Sequence, residues 1–425
     1  MNKNVIWTKN HKIKSLNIFP DDRGGDYVNM IGQVKYIKYY ENIIDPSNHI
    51  EITIADVNGL VDSLPIRSGS SIELKCEHPS QDGEFVYKGV ISNIVGKTMD
   101  ARKEVYTLIC ETGGTFSNHT IRVWERFDGN ISKTVKSILK DKAKVDKDVN
   151  IDSTSTESSF YGNYRRPFKV IADLAPKAIP DNVGVSTGGN SGSAGYLFYE
   201  TIDSYNFKSI DKLFDIKNNK SLPPKDETYT LTPYKDALDV RNNFKIVNSP
   251  AFKESHDLIK KLRSGAYSTA NWYYDSITRK VHFYNFKYNP AIKKSNAEEL
   301  TPTGYAKPYS RIILGTIDQG TTSSNPEGTD LPTPQNQAKN QAQASARYSA
   351  LFSQMVDFTI PMNLSLRVGQ VIRVQFPHLN IDKDTDLQST ESGFYLIARL
   401  SHEFGNTSGD YTGVSLVRDS FTINE

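Results

Sequence analysis

LPIRSGSSIELKCEHP, Leu64 to Pro79, decides the fold of this chain, because nearly the same text returns as LSLRVGQVIRVQFPHL, Leu364 to Leu379. Leu64 and Leu364, Arg67 and Arg367, Gly69 and Gly369, and Ile72 and Ile372 are identical, and Leu74 matches Val374 in character. The text downstream matches as well. GEFVYKGVISNIVG (Gly83 to Gly96) aligns with GFYLIARLSHEFG (Gly393 to Gly405), and both lead to Tyr-Thr, at Tyr106-Thr107 and Tyr411-Thr412. On this alignment Cys76 falls on Phe376 and His402 on Asn93. A chain with two copies of one unit can occupy two positions in a ring.

The first copy reads as short strands. Ile50 to Ile54 alternates apolar and polar residues, as do Ser71 to Cys76, Phe85 to Ile91 and Val105 to Cys110. Alternation with period two marks a strand with one buried face. Asp56 to Leu60 is a turn bending at Asn58-Gly59. The second copy keeps the rhythm in Val371 to Phe376, Phe394 to Leu400 and Gly413 to Val417. Short strands spaced by Gly, Pro and Asp predict an antiparallel sandwich or barrel. Gly69 and Gly369 each follow an Arg by two residues and precede a strand, so a turn needing positive φ accounts for them. Arg67, Gly69, Arg367 and Gly369 are therefore read as structural repeat turns.

Between the copies the character changes. Ile131, Val135, Ile138 and Leu139 form the stripe of an amphipathic helix, and Pro167 opens a second helix at its first turn. STGGNSGSAG, Ser186 to Gly195, reads as a flexible loop, and Tyr196 to Glu200 as a strand. Ser249-Pro250 predicts a helix start, with Ser as cap and the stop near Gly265. Asn271 to Tyr288 reads as two aromatic strands, Gly315 to Pro334 as a connector, and Gln335 to Met355 as a helix.

Composition narrows the function classes. A chain of 425 residues can hold two or three domains with real cores. A net charge of +2 argues against a dedicated polyanion binder. No apolar run approaches a signal-peptide core or a membrane span. The only two cysteines, Cys76 and Cys110, lie in strand patterns and read as small buried apolar residues, consistent with assembly in a reducing cytoplasm.

No chemical constellation stands out. STGGNSGSAG lacks the Gly-Lys-Ser/Thr ending of a phosphate loop, the histidines have no paired metal-ligand spacing, and no Gly-x-Ser-x-Gly elbow occurs. The reading is of a protein that is not an enzyme, without catalytic residues, metal or cofactor. The aromatics from Trp272 to Tyr288 could stack on sugars or bases, but strand aromatics more often fill cores or interfaces.

Further segments carry a family resemblance. NHIEITIADVNGLVDSLPIRSGSSIEL, RVWERFDGNISKTVKSIL (Arg122 to Leu139), GYLFYETIDSYNFKSIDKLF (Gly195 to Phe214) and the closing NLSLRVGQVIRVQFP, GFYLIARLSHEF and YTGVSLVRDS resemble, in order and spacing, the baseplate hub subunit of contractile-tail bacteriophages. That family is related to the hub portion of type VI secretion spike proteins. The match is best at the two ends and poorest across Asp215 to Glu254 and Asn289 to Gln343.

The resemblance implies a mainly β fold (β+α), with two tail-tube-like antiparallel β-barrel domains and an inserted α+β region. The domains expected are 1–115 for the first barrel, 116–230 with 289–342 for a peripheral α+β region, and 231–288 with 343–425 for a discontinuous second barrel. The implied function is a homotrimeric ring of pseudo-sixfold symmetry in the virion, assembled in the host cytoplasm. That ring joins the tail tube, or a tube-initiator protein, to the central spike. Baseplate wedge proteins are further neighbours, DNA passes through without specific binding, and there is no stable membrane insertion. The alternatives are a tail-associated cell-wall hydrolase and a carbohydrate-binding tail protein.

Overall fold

A computed structural model describes residues 12–20, 27–59, 66–77, 84–100, 103–181, 194–213, 228–231, 248–255, 257–265, 267–275, 279–287, 309–316, 334–352, 354–376, 391–405 and 410–418. The glycine-rich stretch 186–193 and the connector 317–333 lie outside the described residues, as does Leu64. The fold is mainly β with an inserted α+β region, as expected.

The first copy contains β1 (Lys12–Phe19), β2 (Val28–Asn29), β3 (Val34–Asn42), β4 (His49–Asp56), β5 (Ser71–Glu77), β6 (Glu84–Asp100) and β7 (Lys103–Glu111). They pair in the order β3-β4-β7-β6-β5-β1-β2. Every second residue is buried: Ile50, Ile52 and Ile54 on β4, Ile72, Leu74 and Cys76 on β5, and Tyr106, Leu108 and Cys110 on β7. The sheet rolls over this core. Tyr39 on β3 meets Phe85 and Tyr87 on β6, with ring centroids 5.2 and 5.9 Å apart, although β4 and β7 lie between those strands in the sheet. Cys76 and Cys110 are free thiols inside the core, and burial pushes the Cys76 thiol up to about 12.

The middle region follows. It holds α1 (Gly113–Thr120), β8 (Arg126–Phe127), α2 (Ile131–Ser137) and β9 (Asp148–Ile151). After these come β10 (Phe160–Tyr161), α3 (Pro167–Leu174), β11 (Tyr196–Glu200), β12 (Ser204–Ser209) and the short α4 (Ile210–Leu213). Asn130 caps α2 by accepting from the Ser132 and Lys133 N–H groups, and Pro167 occupies the first turn of α3. β11 is buried on both faces. Its Tyr196 and Phe198 enter the core of the middle region, and Leu197 and Tyr199 enter the core of the second copy.

The second copy comprises β13 (Thr228–Thr230), β14 (Asn248–Ser255), β18 (Gln354–Pro361), β19 (Val371–Gln375), β20 (Gly393–Phe404) and β21 (Tyr411–Arg418). Between β14 and β18 come α5 (Leu258–Ser264), β15 (Ser268–Asp275), β16 (Lys280–Lys287), β17 (Arg311–Thr316) and α6 (Pro334–Leu351). Of the strands in 231–288, β14 joins β18 in the large sheet, whereas β15 and β16 form their own sheet with β17. α6 packs against β15 and β16.

Two sequence expectations are corrected. Ser249-Pro250 does not start a helix, because both residues lie in β14, where the register slips between Asn248 and Ala251. A bulge tolerates a proline, so pairing with β18 overrides the local signal. The helix begins after Asp257, whose carboxylate accepts from the Lys260 N–H, and ends at Gly265 with φ 75°.

The second correction concerns the downstream alignment of the copies. Ser71 opposes Val90 and Val371 opposes Leu396; Ile91 opposes Cys110 and Ile397 opposes Leu416. Both long strands then bulge at the same place, between Ile91 and Asn93 and between Ile397 and Arg399. Arg399, not His402, is therefore the counterpart of Asn93, and Tyr106-Thr107 stands where Thr412-Gly413 stands. The slips corrected are three residues on the long strand and one on the last strand, both odd. The faces agree only in the corrected register: Asn93 and Arg399 are exposed, whereas His402 is buried.

Candidate functional site

The two copies are joined edge to edge. Beyond its bulge, β20 leaves β19 and pairs antiparallel with β3, from Arg399 opposite Asn42 to Phe404 opposite Ile37. The result is one continuous sheet that runs through both copies. On the face turned away from the cores, Glu403 accepts hydrogen bonds from the Tyr36 and Tyr411 hydroxyls and pairs with Lys38 Nζ at 3.2 Å. Burial opposes the charge on Glu403, but these partners outweigh it and hold the carboxyl below its ordinary range. A groove of about 540 Å³ lies on this face, lined among others by Tyr40, His49, Lys253, Asp357 and Arg399.

On the core side, two buried carboxylates tie the joint to the middle region. Glu41 on β3 accepts from the Tyr39 hydroxyl at 2.8 Å, the Ile202 N–H at 2.9 Å and the Val368 N–H at 2.9 Å. One side chain thus binds the first copy, the β11–β12 turn and the Arg367 turn of the second copy. Glu200 at the end of β11 accepts from the Asn48 N–H at 2.9 Å and the Thr112 hydroxyl at 3.0 Å, and pairs with Lys147 Nζ at 2.7 Å. Burial raises the pKa of both carboxyls, opposed chiefly by Arg367 at Glu41 and by Lys147 at Glu200. Removing one partner from such a network leaves buried polar groups unpaired.

The repeated turns have the same backbone and different surroundings. The Gly69 N–H donates to the Ile91 carbonyl at 2.8 Å, and the Gly369 N–H to the Ile397 carbonyl at 3.0 Å. Ser70 Oγ accepts from the Arg67 N–H, and Gln370 Oε1 accepts from the Arg367 N–H. The glycines have φ of 102° and 86°, in the region that favours glycine. A Cβ on Gly69 would meet open space, whereas one on Gly369 would stand 2.1 Å from the Tyr199 hydroxyl. Arg67 is exposed. Arg367 bonds to Asp203 at 2.7 Å and to the Leu364 and Leu366 carbonyls at 2.6 and 2.9 Å. The second turn is docked on the middle region through Tyr199 and Asp203.

Sequence reasoning missed Glu41 and Glu200. A signal was present: Glu41 continues the inward parity of Ile37 and Tyr39, where an acid has to find buried partners. The β15–β17 sheet has one face against α6, and its other face exposes Trp272, Tyr274, Val281, Phe283, Ile312 and Leu314. Among the described residues, no group of three or more His, Cys, Asp or Glu side chains is placed to hold a metal ion, and no helix is long and apolar enough to cross a membrane.

No family model matches the sequence, and no curated protein matches it. Solved structures do match. The chain is similar to the 43 kDa tail protein of prophage MuSo2 from Shewanella oneidensis, with TM-score 0.55 and 12% identity over 96% of this chain and 99% of that one. It is similar to the tail protein from Neisseria meningitidis MC58, with TM-score 0.55 and 12% identity over 95% and 96% of the two chains. A weaker likeness, TM-score 0.46 and 9% identity over 98% and 79%, is to a type VI secretion component of E. coli. The fold is that of a phage tail protein, the class to which the sequence resemblance points.

Proposed function

We propose that this protein is the baseplate hub subunit of a contractile tail. Three copies form a ring of pseudo-sixfold symmetry, with the tail tube or its initiator on one side and the central spike on the other. DNA passes along the axis without specific binding. The observation that carries this reading is the β20–β3 joint, which sets two copies of one β unit side by side in one sheet. Such a chain supplies two of six nearly equivalent positions, so a trimer can meet a sixfold tube without a symmetry mismatch.

The proposed division into a first barrel (1–115), a peripheral region (116–230 with 289–342) and a second barrel (231–288 with 343–425) follows the three main cores. These share residues at their borders, Ile202 and Phe404 in the first and Leu197 in the second. The pairing of β15 and β16 with β17 in a sheet of their own favours counting 268–287 with the peripheral part. The role is mechanical, with no catalytic residue and no cofactor. Native mass spectrometry and low-resolution imaging test the reading, with a trimeric ring around an open axis as the expected result. A chain that stays monomeric and joins no ring with spike or tube protein overturns it.

A further inference from the structure

The internal joint uses one pair of edges, and the duplication supplies a second pair. By register, the half of β6 beyond its bulge corresponds to the half of β20 that pairs with β3. Val95 opposes Thr107 and Thr98 opposes Val105, as Ser401 opposes Gly413 and Glu403 opposes Tyr411. β14 corresponds to β3: Tyr39 and Phe252 face Ile50 and Val356, and Lys38 and Ala251 face Glu51 and Asp357. Among the described residues, this half of β6 pairs only with β7, and β14 pairs only with β18. Each presents one open edge of backbone donors and acceptors.

The side chains at these edges differ from their counterparts in the way an unfilled joint requires. At the β20–β3 joint, Phe404 is 2% exposed and Tyr39 0%. In the corresponding places, Met99 is 77% exposed and Phe252 is 39% exposed. Large apolar side chains that are buried where the joint is made stand in water where it is not.

We propose that the 93–99 half of β6 in one molecule pairs antiparallel with β14 of a second copy of this chain, repeating the internal joint between molecules, with Val95 opposite Glu254 and Thr98 opposite Ala251. The ladder stops at Ala251, because Pro250 has no N–H to donate. The two edges are different surfaces, so the contact is head to tail and must close into a ring to satisfy every edge. This pairing rests on the hub reading above and gives it a specific interface.

The test is a double variant, Thr98→Cys with Ala251→Cys, oxidised and run without reductant beside native mass spectrometry. Cys76 and Cys110 are buried and stay silent. The expected result is a disulfide between molecules, and a covalently closed ring when every joint is oxidised. The control pair Lys88→Cys with Ala251→Cys gives no such link, since Lys88 lies on the half of β6 that pairs with β5. Rings that assemble without the Thr98–Ala251 link overturn this interface and leave the hub reading standing. No self-association at the highest soluble concentration overturns both. A second variant, Phe252→Lys, puts a charge on an edge position that is 39% exposed and also packs on Phe376. Its denaturant midpoint is measured beside its assembly to show that the subunit stays folded. The variant should raise the concentration for half-assembly about tenfold or more, and unchanged assembly counts against the interface.

Discussion

The two copies share a backbone plan but complete their cores differently. In the first, β1 lies antiparallel along β5 and brings Leu16 and Ile18 into the core. In the second, among the described residues, the matching edge of β19 carries the three residues of β13, paired parallel. The missing apolar surface comes from elsewhere: Leu197 and Tyr199 on β11, Ile210 and Leu213 on α4, and Leu351 at the end of α6. The Gly369 turn sits against Tyr199, while the Gly69 turn faces open space. Duplication produced two similar sheets, and the inserted region gives more of its side chains to the second, with Ile202 its described contribution to the first core. The first copy takes only Ile202 from the middle region among the described core residues, together with Met362, Leu364 and Phe404 from the second copy. The second copy and the middle region, by contrast, should behave as one cooperative body.

The sharpest way to break this comparison is to empty each core in turn. Leu197→Ala should cost about 3–5 kcal/mol, as large-to-small changes in a tight core do. In hydrogen exchange it should loosen the second copy and the middle region together. Leu16→Ala should cost a similar amount and loosen chiefly the first copy, and equal loosening everywhere would refute the asymmetry.

Next in size are the paired glycines. Gly369→Ala combines positive-φ strain with a clash against a buried tyrosine and should cost about 2–4 kcal/mol, whereas Gly69→Ala meets only the strain, about 1 kcal/mol. Denaturant midpoints of the two variants decide this. The arginines should separate in the same direction: Arg367→Ala costs about 2 kcal/mol because its hydrogen bonds include a carboxylate, and Arg67→Ala less than about 0.5 kcal/mol.

The smallest effect is on pH dependence. Glu41 has a raised folded pKa, so the native state binds more protons than the unfolded chain above the ordinary value of 4.5. Its contribution is present below that value and is lost as pH rises through the folded pKa. Glu403 is lowered, so its contribution is present above 4.5 and lost as pH falls through its folded pKa. Glu41→Gln should therefore flatten the decline in stability on the alkaline side of 4.5, and Glu403→Gln should flatten the decline on the acid side. Stability measured across pH 3–8 tests both, and the opposite pairing of variant and slope would show the signs to be wrong.

Much of this was legible in the sequence, and the parts that were not have a common cause. Alternation along β4, β5 and β7 and the glycines at 69 and 369 specify strands and turns, because side-chain parity and positive φ are properties of a few adjacent residues. The amphipathic stripe of Ile131, Val135 and Leu139 specified α2 for the same reason. Register was not legible: a bulge interrupts the period-two alternation, and the shared one beside Asn93 and Arg399 became visible only through the cross-strand partners. Ser249-Pro250 misled because its local helix signal is weaker than a strand position opposite β18. The joint of β20 with β3, and the closure of Glu41 on Ile202 and Val368, pair groups far apart in the chain. Hydrogen bonds and burial between such groups have no periodic trace in the text. The sequence by itself determined that one β unit occurs twice; the tertiary structure decided which edges meet, which core is borrowed, and which of the repeated turns is docked.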